Sequence, residues 1–231
     1  MLPTSDKPPI AGGVRPPSFL DRPFGSGIEK KLLESINAMT LADIDTVVAM
    51  HKSEIPAGIM VELGTEFLRL FYRQVVMDPG ARGYVARQNG RIVGFMVGSS
   101  EPGVFLKGLF SRNFFRIGKI VGKRIVVQPS FLLRFAQVVL ANLHQETVAE
   151  SLAGAVLKEY QGGGYGFILL KKLFHDFRQS GVRRVQCVVA GDTSDPAVIA
   201  LHHIYKNNGF FQSGKFRVGK TLYSRYRRDL V

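Results

Sequence analysis

A glycine-rich turn separates an apolar segment from an amphipathic one in the second half of the chain. The residues before it, up to position 157, are typical of a buried strand, and those after it have helical spacing. The first amides of a helix have no partner inside the helix and lie at its partly positive end. Because glycines allow close approach to these amides, the turn is expected to bind an anion, above all a phosphate. Its residues are Gln161, Gly162, Gly163, Gly164, Tyr165, Gly166 and Phe167.

Two common phosphate-binding loops do not fit this turn. Counted from Gly162, the third glycine of the Rossmann fingerprint falls on Phe167. The P-loop needs a lysine after its last glycine, and Gly166 is followed by Phe167. An ordinary strand-to-helix connection is the remaining alternative, but it needs fewer glycines. The pattern that fits, Gln161-x-x-Gly164-x-Gly166, resembles the acyl-coenzyme A loop of the GNAT acetyltransferases.

The resemblance continues beyond the loop and covers about 37–227. Ala200, Leu201, Tyr205, Gly209 and Phe210 are similar to the A-x-x-x-Y-x-x-x-G-F ending of that family, with Leu201 at the alanine position and Ala200 directly before it. It implies an α/β (α+β) fold of the GNAT type, with a mixed, twisted central sheet flanked by helices. It also implies transfer of an acetyl or other acyl group from acyl-CoA to a primary amine, without a metal.

The resemblance also assigns roles to residues around the loop. The seven loop residues would hold the pyrophosphate of coenzyme A, and the backbone of Val156 and Leu157 would bind its pantetheine arm. Glu150 stands where many GNAT enzymes carry a general base; the alternative is an exposed or ion-paired strand carboxylate. Tyr205 matches the tyrosine that protonates the leaving thiolate; the alternative is a packed helix aromatic.

Two positions depart from the family pattern. Gly163 stands where Arg or Lys is common, so binding would depend more on backbone amides. Val198 stands where the family commonly has an Asn that contacts the arm, so that contact would be lost or moved.

Alternating and helical patterns predict the elements that position these residues. An Asn89-Gly90 turn between two strands is a strong hairpin signal. A loop is expected over 51–64, where Glu54 and Glu62 could bind a cationic substrate. The predicted strands are 36–39, 84–87, 91–99, 147–157, 184–190, 210–218 and 220–226. The predicted helices are 40–51, 65–77, 166–180 and 195–207.

The segment 101–145 interrupts this pattern between the third and fourth strands. Its apolar and basic residues are interleaved at near-helical spacing. The segment 101–142 contains seven Lys and Arg residues and one acidic residue, Glu101. We therefore expect a basic helical insertion. It could pack on the body of the domain or on a second subunit in a homodimer. It could also dock on an anionic membrane or an acidic carrier protein; nucleic acid is the least favoured partner.

Length and composition limit the remaining choices. The 231 residues fit one domain, taken as 31–231, preceded by a Pro- and Gly-rich segment 1–30 that forms a flexible tail or a surface strap. The net charge of +13 favours anionic ligands. One cysteine, Cys187, excludes a disulfide framework and a cysteine zinc cluster. Without a long apolar run or a signal pattern, a cytoplasmic location is expected, or a peripheral one at the inner membrane face.

The acceptor is the least determined part of the function. A small amine or amino sugar is favoured, and a protein lysine or N-terminal amine is the second choice. A non-catalytic acyl-CoA-binding, membrane-docking module is the alternative of a different class.

Overall fold

The computed structural model describes residues 18–20, 22–25, 27–55, 58–143, 148–191, 196–219 and 221–230. Within them, one seven-stranded sheet carries helices on both faces. The strands are β1 (Ile36–Ala38), β2 (Ala81–Gln88), β3 (Arg91–Ser99), β4 (Ala149–Val156), β5 (Arg184–Ala190), β6 (Phe211–Val218) and β7 (Thr221–Asp229). The helices are α1 (Ile28–Glu34), α2 (Ile44–Glu54), α3 (Ile59–Leu63), α4 (Thr65–Met77), α5 (Pro102–Arg112), α6 (Phe114–Val127), α7 (Ser130–Leu143), α8 (Tyr165–Gln179) and α9 (Pro196–Asn207).

The sheet is mixed, as the sequence predicts. Its strand order is β1-β2-β3-β4-β5-β7-β6, and only β4 and β5 are parallel. The hairpin of β2 and β3 turns at Asn89 and Gly90, whose φ angles are 49° and 77°. Positive φ at both positions matches the right-handed twist of the strands. The predicted hairpin is therefore confirmed.

Apolar side chains form a core on each face of the sheet. On one face, α2 and α4–α7 cover the sheet, with Val47, Phe71, Val85, Phe95 and Phe105 in the core. On the other face, α8 and α9 cover a core whose buried members include Leu169, Leu173, Phe177, Val185, Cys187 and Tyr226. Successive strand residues point to opposite faces, so each strand contributes to both cores.

The prediction of a loop over 51–64 is wrong for most of the residues described there. Helix α2 continues to Glu54 because His51, on its inner side, is buried against Tyr72 of α4. A further short helix, α3, follows and buries Leu63. Positions 56 and 57, between the two helices, lie outside the described residues.

The predicted helical insertion between the third and fourth strands is confirmed, and it consists of α5, α6 and α7. Pro102 begins α5, where its missing amide N–H leaves no helical bond unmade. The inner faces of the three helices pack against the α4 side of the core. Their buried residues include Phe105, Leu109, Ile117, Ile120 and Phe131.

The described part of the N-terminal segment packs against α8 as a strap, which was one of the two alternatives for it. Leu20 is buried in the core beneath α8. The ammonium of Lys171, a residue only 2% exposed, donates to the carboxylate of Glu29 and to the carbonyl of Pro23 at 3.3 Å. The boundary expected at residue 30 falls inside α1, and 1–17 lie outside the described residues.

Candidate functional site

The sheet opens between β4 and β5. Only three residue pairs join them, of which Ser151 with Cys187 is the last. Against β3, Ala153 pairs with Val97 and Ser151 pairs with Gly98, so that Leu152 is an extra residue. Such a β-bulge bends its strand, and β4 diverges from β5 beyond it. Within the described residues, no strand pairs after Ser151 with the edge of β4 that faces β5.

The backbone at the end of β4 has one donor directed into this opening. The Leu157 amide donates to the Val93 carbonyl of β3 at 2.9 Å, so it is not available to a ligand. Hydrogen bonding alternates along a strand, and the Val156 amide therefore points to the opposite edge, into the opening. The Val156 carbonyl accepts from Gln161 Nε2 at 3.0 Å. Of the two residues predicted to bind the arm, Val156 alone offers a free amide.

The glycine-rich turn leads from β4 into α8. Gly162 and Gly164 have φ angles of 81° and 86°, a left-handed conformation in which glycine is unstrained. The first helical bond runs from the Ile168 amide to the Gly164 carbonyl at 3.1 Å. In the described part of the chain, the three preceding amides have no backbone acceptor. The amides of Tyr165, Gly166 and Phe167 therefore form a cluster of donors at the positive end of α8.

Space around this turn suits a ligand that lies against the backbone. A Cβ on Gly162 would meet no atom within 4 Å, whereas one on Gly164 would lie 3.1 Å from Leu32 Cδ1. The Phe19 ring contacts Phe167 edge to face, with centroids 5.6 Å apart. The strap therefore borders one side of the turn and leaves the Gly162 side open. A diphosphate on these amides fits the residues present.

Glu150 lies in the short parallel part of β4, on the face covered by α2–α7. Its Oε2 accepts from Gln186 Nε2 at 2.8 Å. Burial raises the pKa of Glu150 above its usual value, although the Gln186 hydrogen bond and the charge of Arg225 oppose that change. A carboxylate with a raised pKa is a stronger base, which suits proton removal from an amine. The base role stays a prediction.

Tyr205 approaches the same point of the sheet from the opposite face. It stacks on Tyr226, with centroids 5.4 Å apart, and its hydroxyl shares a hydrogen bond with the Cys187 thiol. Burial raises the pKa of Tyr205 well above its usual value and that of Cys187 to about 12. Both groups are therefore protonated at neutral pH. Because Cys187 belongs to the last β4–β5 pair, the Tyr205 hydroxyl lies where the opening begins. A proton donor to a thiolate in the opening would need this position.

At position 198, one of the two that depart from the family pattern, the side chain has a packing role. Val198 is buried, and its Cγ2 lies 2.5 Å from where a Cβ on Gly191 would be. The side chain therefore packs against the end of β5, and Gly191 provides the room.

The two acidic candidates for the acceptor site lie in different surroundings. Glu62 lines a cavity of about 500 Å³ between α3, α7 and the β6–β7 hairpin. Its carboxylate accepts from Arg134 Nη1 at 2.7 Å, so its charge is already compensated. Glu54 ends α2, accepts from the Ser53 hydroxyl at 3.2 Å, and is not part of the cavity wall. Glu62 is thus already paired, and the role of either carboxylate in binding a cationic substrate stays a prediction.

Three residues of the site were missed by the sequence reasoning. Gln186 holds Glu150, Arg225 supplies the positive charge near it, and Tyr223 lines the cavity. Each is a polar residue on the same face as Glu150, since Gln186 pairs with Arg227 and the β7 side chains alternate. A polar residue within the apolar strand β5 was the signal that could have identified Gln186, whereas β7 is polar along most of its length and offered no such signal for Arg225 and Tyr223.

Neither a metal centre nor a membrane span is found in the described ranges. No three His, Cys, Asp or Glu side chains there are grouped so as to hold a metal ion. None of the described helices combines the length and apolar character needed to cross a bilayer.

Comparisons with known proteins agree with this geometry. The model of the acetyltransferase (GNAT) family matches residues 47–210. No curated protein matches the chain at a significant level. The ribosomal-protein-alanine N-acetyltransferase of Brucella melitensis is 18% identical, with a TM-score of 0.54, and the alignment covers 84% of this chain and 99% of that one. An N-acetyltransferase from Staphylococcus aureus Mu50 is 16% identical, with a TM-score of 0.53 and coverage of 85% and 98%.

A third solved structure gives the same result. The ribosomal-protein-S18-alanine N-acetyltransferase of Escherichia coli is 14% identical, with a TM-score of 0.52 and coverage of 84% and 92%. At these identities the structures support the fold alone, whereas the family model covers most of the chain. The chain belongs to the acetyltransferase (GNAT) family.

Proposed function

We propose that this protein is an N-acyltransferase that moves an acetyl or other acyl group from acyl-CoA to the primary amine of a small molecule. The observation that carries the proposal is the opening between β4 and β5 beside the free amides of α8, with Glu150 and Tyr205 at its narrow end. Family membership supports an acetyltransferase, and the opening supports a thioester co-substrate.

The chain would hold acyl-CoA mainly through its backbone. The amides of Tyr165, Gly166 and Phe167 would bind the diphosphate, and the absence of a cation at Gly163 leaves most of this work to them. The Val156 amide would donate to the thioester oxygen, where negative charge develops during attack. A donor placed in this way contributes about 3–4 kcal/mol to transition-state stabilisation.

The transfer itself needs one proton removed and one supplied. Glu150 takes a proton from the amine, directly or through water, and the amine nitrogen bonds to the carbonyl carbon as the C–S bond breaks. Tyr205 gives its hydroxyl proton to the departing sulfur and is reprotonated from solvent. Because both substrates lie in one complex, no covalent enzyme intermediate is required.

The cavity favours a small acceptor over a protein. Its volume of about 500 Å³ lies in the range of sites for small molecules. Acylation of a protein N-terminal amine is the second candidate, because two similar structures are named as N-acetyltransferases of ribosomal-protein alanine.

The test measures thiol release from acetyl-CoA with a panel of small amines and N-terminal peptides. Glu150→Gln and Tyr205→Phe should each lower kcat/KM about 10²-fold or more, the usual contribution of an acid or base. Acetyl-CoA should still raise the Tm of both variants, because neither residue belongs to the phosphate-binding turn. Full activity in both variants would contradict the assigned roles. Stabilisation by acetyl-CoA without thiol release from any amine would instead indicate a non-catalytic acyl-CoA-binding module.

We also propose that the outer face of α6 docks the enzyme on an anionic membrane at the cytoplasmic side. Phe115 and Val126 on this face are 88% and 83% exposed, and Arg116, Lys119 and Lys123 lie between them. Each cation near an anionic lipid surface contributes about 1 kcal/mol, and a buried Phe side chain contributes about 2 kcal/mol. This combination of exposed apolar and basic side chains supports a lipid surface over an acidic carrier protein or a second copy.

Liposome flotation of the full chain tests the docking surface. The protein should float with vesicles containing phosphatidylserine and remain unbound with neutral vesicles, and Phe115→Ser should reduce flotation severalfold. Leu41→Ser, at an exposed apolar residue elsewhere, is the matched control. Equal flotation of the Phe115 variant, or no flotation of the parent, would exclude this surface. Concentration-dependent dimerisation that Phe115→Ser abolishes would identify a second copy as its partner.

A further inference from the structure

A group of charges that the acyl transfer does not use surrounds Glu62. Its carboxylate accepts from Arg134 Nη1 at 2.7 Å and lies 3.9 Å from Arg124 Nη2. One carboxylate therefore serves two guanidinium groups. Arg134 Nη2 is buried and has no hydrogen-bond partner among the described residues. Because protein atoms cover this donor, a ligand would meet the exposed part of the Arg134 side chain, which is 24% exposed.

The cavity places that arginine where a small molecule can reach it. Arg134 lines one wall, on α7, and Thr221 and Tyr223 of β7 line another. The Gly219 amide at the β6–β7 turn donates to Gln137 Oε1 at 3.2 Å. A Cβ on Gly219 would come within 2.8 Å of Arg134 Cδ. These contacts hold α7 against the hairpin and fix the position of the guanidinium.

The cavity and the Glu150 site lie on one face of the sheet. Arg225, whose charge acts on Glu150, is two residues from Tyr223 on β7 and therefore points to the same side. Tyr223 and Arg225 are about 7 Å apart along β7, so the amine beside Glu150 and a group beside Arg134 would be separated by a distance of this order. A molecule that reaches both points needs an extended shape.

We infer that the acceptor carries an anionic group, a carboxylate or a phosphate, in addition to its amine, and that Arg134 binds this group. The inference rests on the proposed function for the position of the amine beside Glu150. The insertion, through α7, thus sets acceptor specificity. It selects amines that carry a negative charge several bonds away over amines of the same length that do not.

The test compares two probes of equal length, 6-aminohexanoate and 6-aminohexanamide, by calorimetry on the protein alone and saturated with coenzyme A. The carboxylate should bind about tenfold or more tightly than the amide, as a charge-assisted hydrogen bond provides. Arg134→Gln should remove this preference while leaving amide binding unchanged. Glu62→Gln should strengthen carboxylate binding, because it frees the second side of the guanidinium. A variant that only damaged the fold would weaken both probes equally.

Equal binding of the two probes, an unchanged preference in Arg134→Gln, or no binding of either probe would overturn the inference. Thiol release measured with the same probes separates this result from the proposed function. Turnover of both probes without preference would contradict the inference of an anionic group on the acceptor and would still support the acyltransferase function. Selective binding of the carboxylate without turnover would support the Arg134 site and would contradict the proposed transfer reaction.

Discussion

Glu150 combines burial with one neutral hydrogen-bond donor. Its partner Gln186 orients the carboxylate without neutralising it, and Arg225 is the charge that moderates it. Burial still dominates and raises the pKa of Glu150. The carboxylate is thus held in a state that favours taking a proton. The same property makes its ionised form unfavourable for folding.

The pH dependence of stability should reveal this cost. A raised pKa means that the folded chain holds the proton more tightly than the unfolded chain, so stability falls as the pH rises above the ordinary value for Glu. Glu150→Gln should therefore have a higher Tm than the parent at pH 8 and a similar Tm at pH 4. Calorimetric scans at the two pH values measure the difference. A lower Tm for the variant at pH 8 would show that the carboxylate stabilises the fold.

His51 should produce the opposite pH dependence. Burial lowers its pKa from 6.5 to about 4, so the folded chain resists protonation. Its contribution to stability is present above pH 6.5 and is lost as the pH falls toward 4, by up to about 3 kcal/mol. Urea unfolding at pH 7, 5.5 and 4.5 should show a smaller loss in His51→Gln than in the parent. The exposed His203→Gln is the control and should retain the parent slope.

At the level of single residues, the sequence predicted site residues that lie close together in the chain. It missed residues whose contacts join distant parts of the chain. The turn from Gln161 to Phe167 is contiguous, and its backbone geometry follows from its glycines. Gln186 and Arg134 gain their significance from Glu150 and Glu62, which are 36 and 72 positions away. No local pattern encodes such pairs.

Among the elements, the turn before α8 is the most constrained. Gly164 has a φ angle of 86° and lies against Leu32 of α1, whereas the surroundings of Gly162 are open. The turn therefore needs glycine at 164 both for its conformation and for its contact with α1. The proposed phosphate binding would depend on this conformation, because it directs the amides of the first turn.

Gly164→Ala should therefore weaken acyl-CoA binding as well as the fold. A left-handed alanine costs about 1–2 kcal/mol, and the added methyl group would crowd Leu32. We expect a similar loss of unfolding free energy and about tenfold weaker acetyl-CoA binding by calorimetry. Gly122→Ala in α6 is the control, since it meets no neighbour and should stabilise the helix by about 0.5–1 kcal/mol. Unchanged acetyl-CoA affinity in Gly164→Ala would show that phosphate binding does not depend on the turn.

The order and type of most elements could be predicted, but the arrangement of the insertion could not. Its spacing indicated helices, and three are present. Which side of each helix is buried depends on α4, which lies earlier in the chain, so the exposed face of α6 and the cavity beside α7 emerge only on packing. The same applies to α3, which was predicted as loop because it is too short for a helical period to appear.

At the scale of the whole molecule, the described residues of the strap pack against α8 around Lys171. The ammonium of Lys171 lies over the rings of Phe19 and Phe24, 4.5 Å and 5.0 Å from their centroids, and pairs with Glu29. A buried cation of this kind is tolerated because a carboxylate, a carbonyl and two aromatic rings surround it. The strap is therefore part of the fold rather than an appendage.

Lys171→Met should release the strap. The loss of the charge-assisted bond should lower the free energy of unfolding by about 1.5–3 kcal/mol and expose the strap to trypsin at low protease concentration. Lys172→Met is the matched control, because Lys172 pairs with Asp176 on the same helix and such pairs contribute about 0.5 kcal/mol. Equal resistance of both variants to trypsin would show that apolar contacts alone hold the strap.

The three pairs between β4 and β5 have a mechanical consequence. Among the described residues, they are the only pairs that join two parts of the sheet, β1–β4 and β5–β7, each of which is internally antiparallel. If acyl-CoA binds as proposed, its pantetheine chain would continue the ladder beyond Ser151 and would hold the two parts of the sheet together. Release of coenzyme A would then require those contacts to break, so the turnover rate would depend on how firmly β4 and β5 are joined.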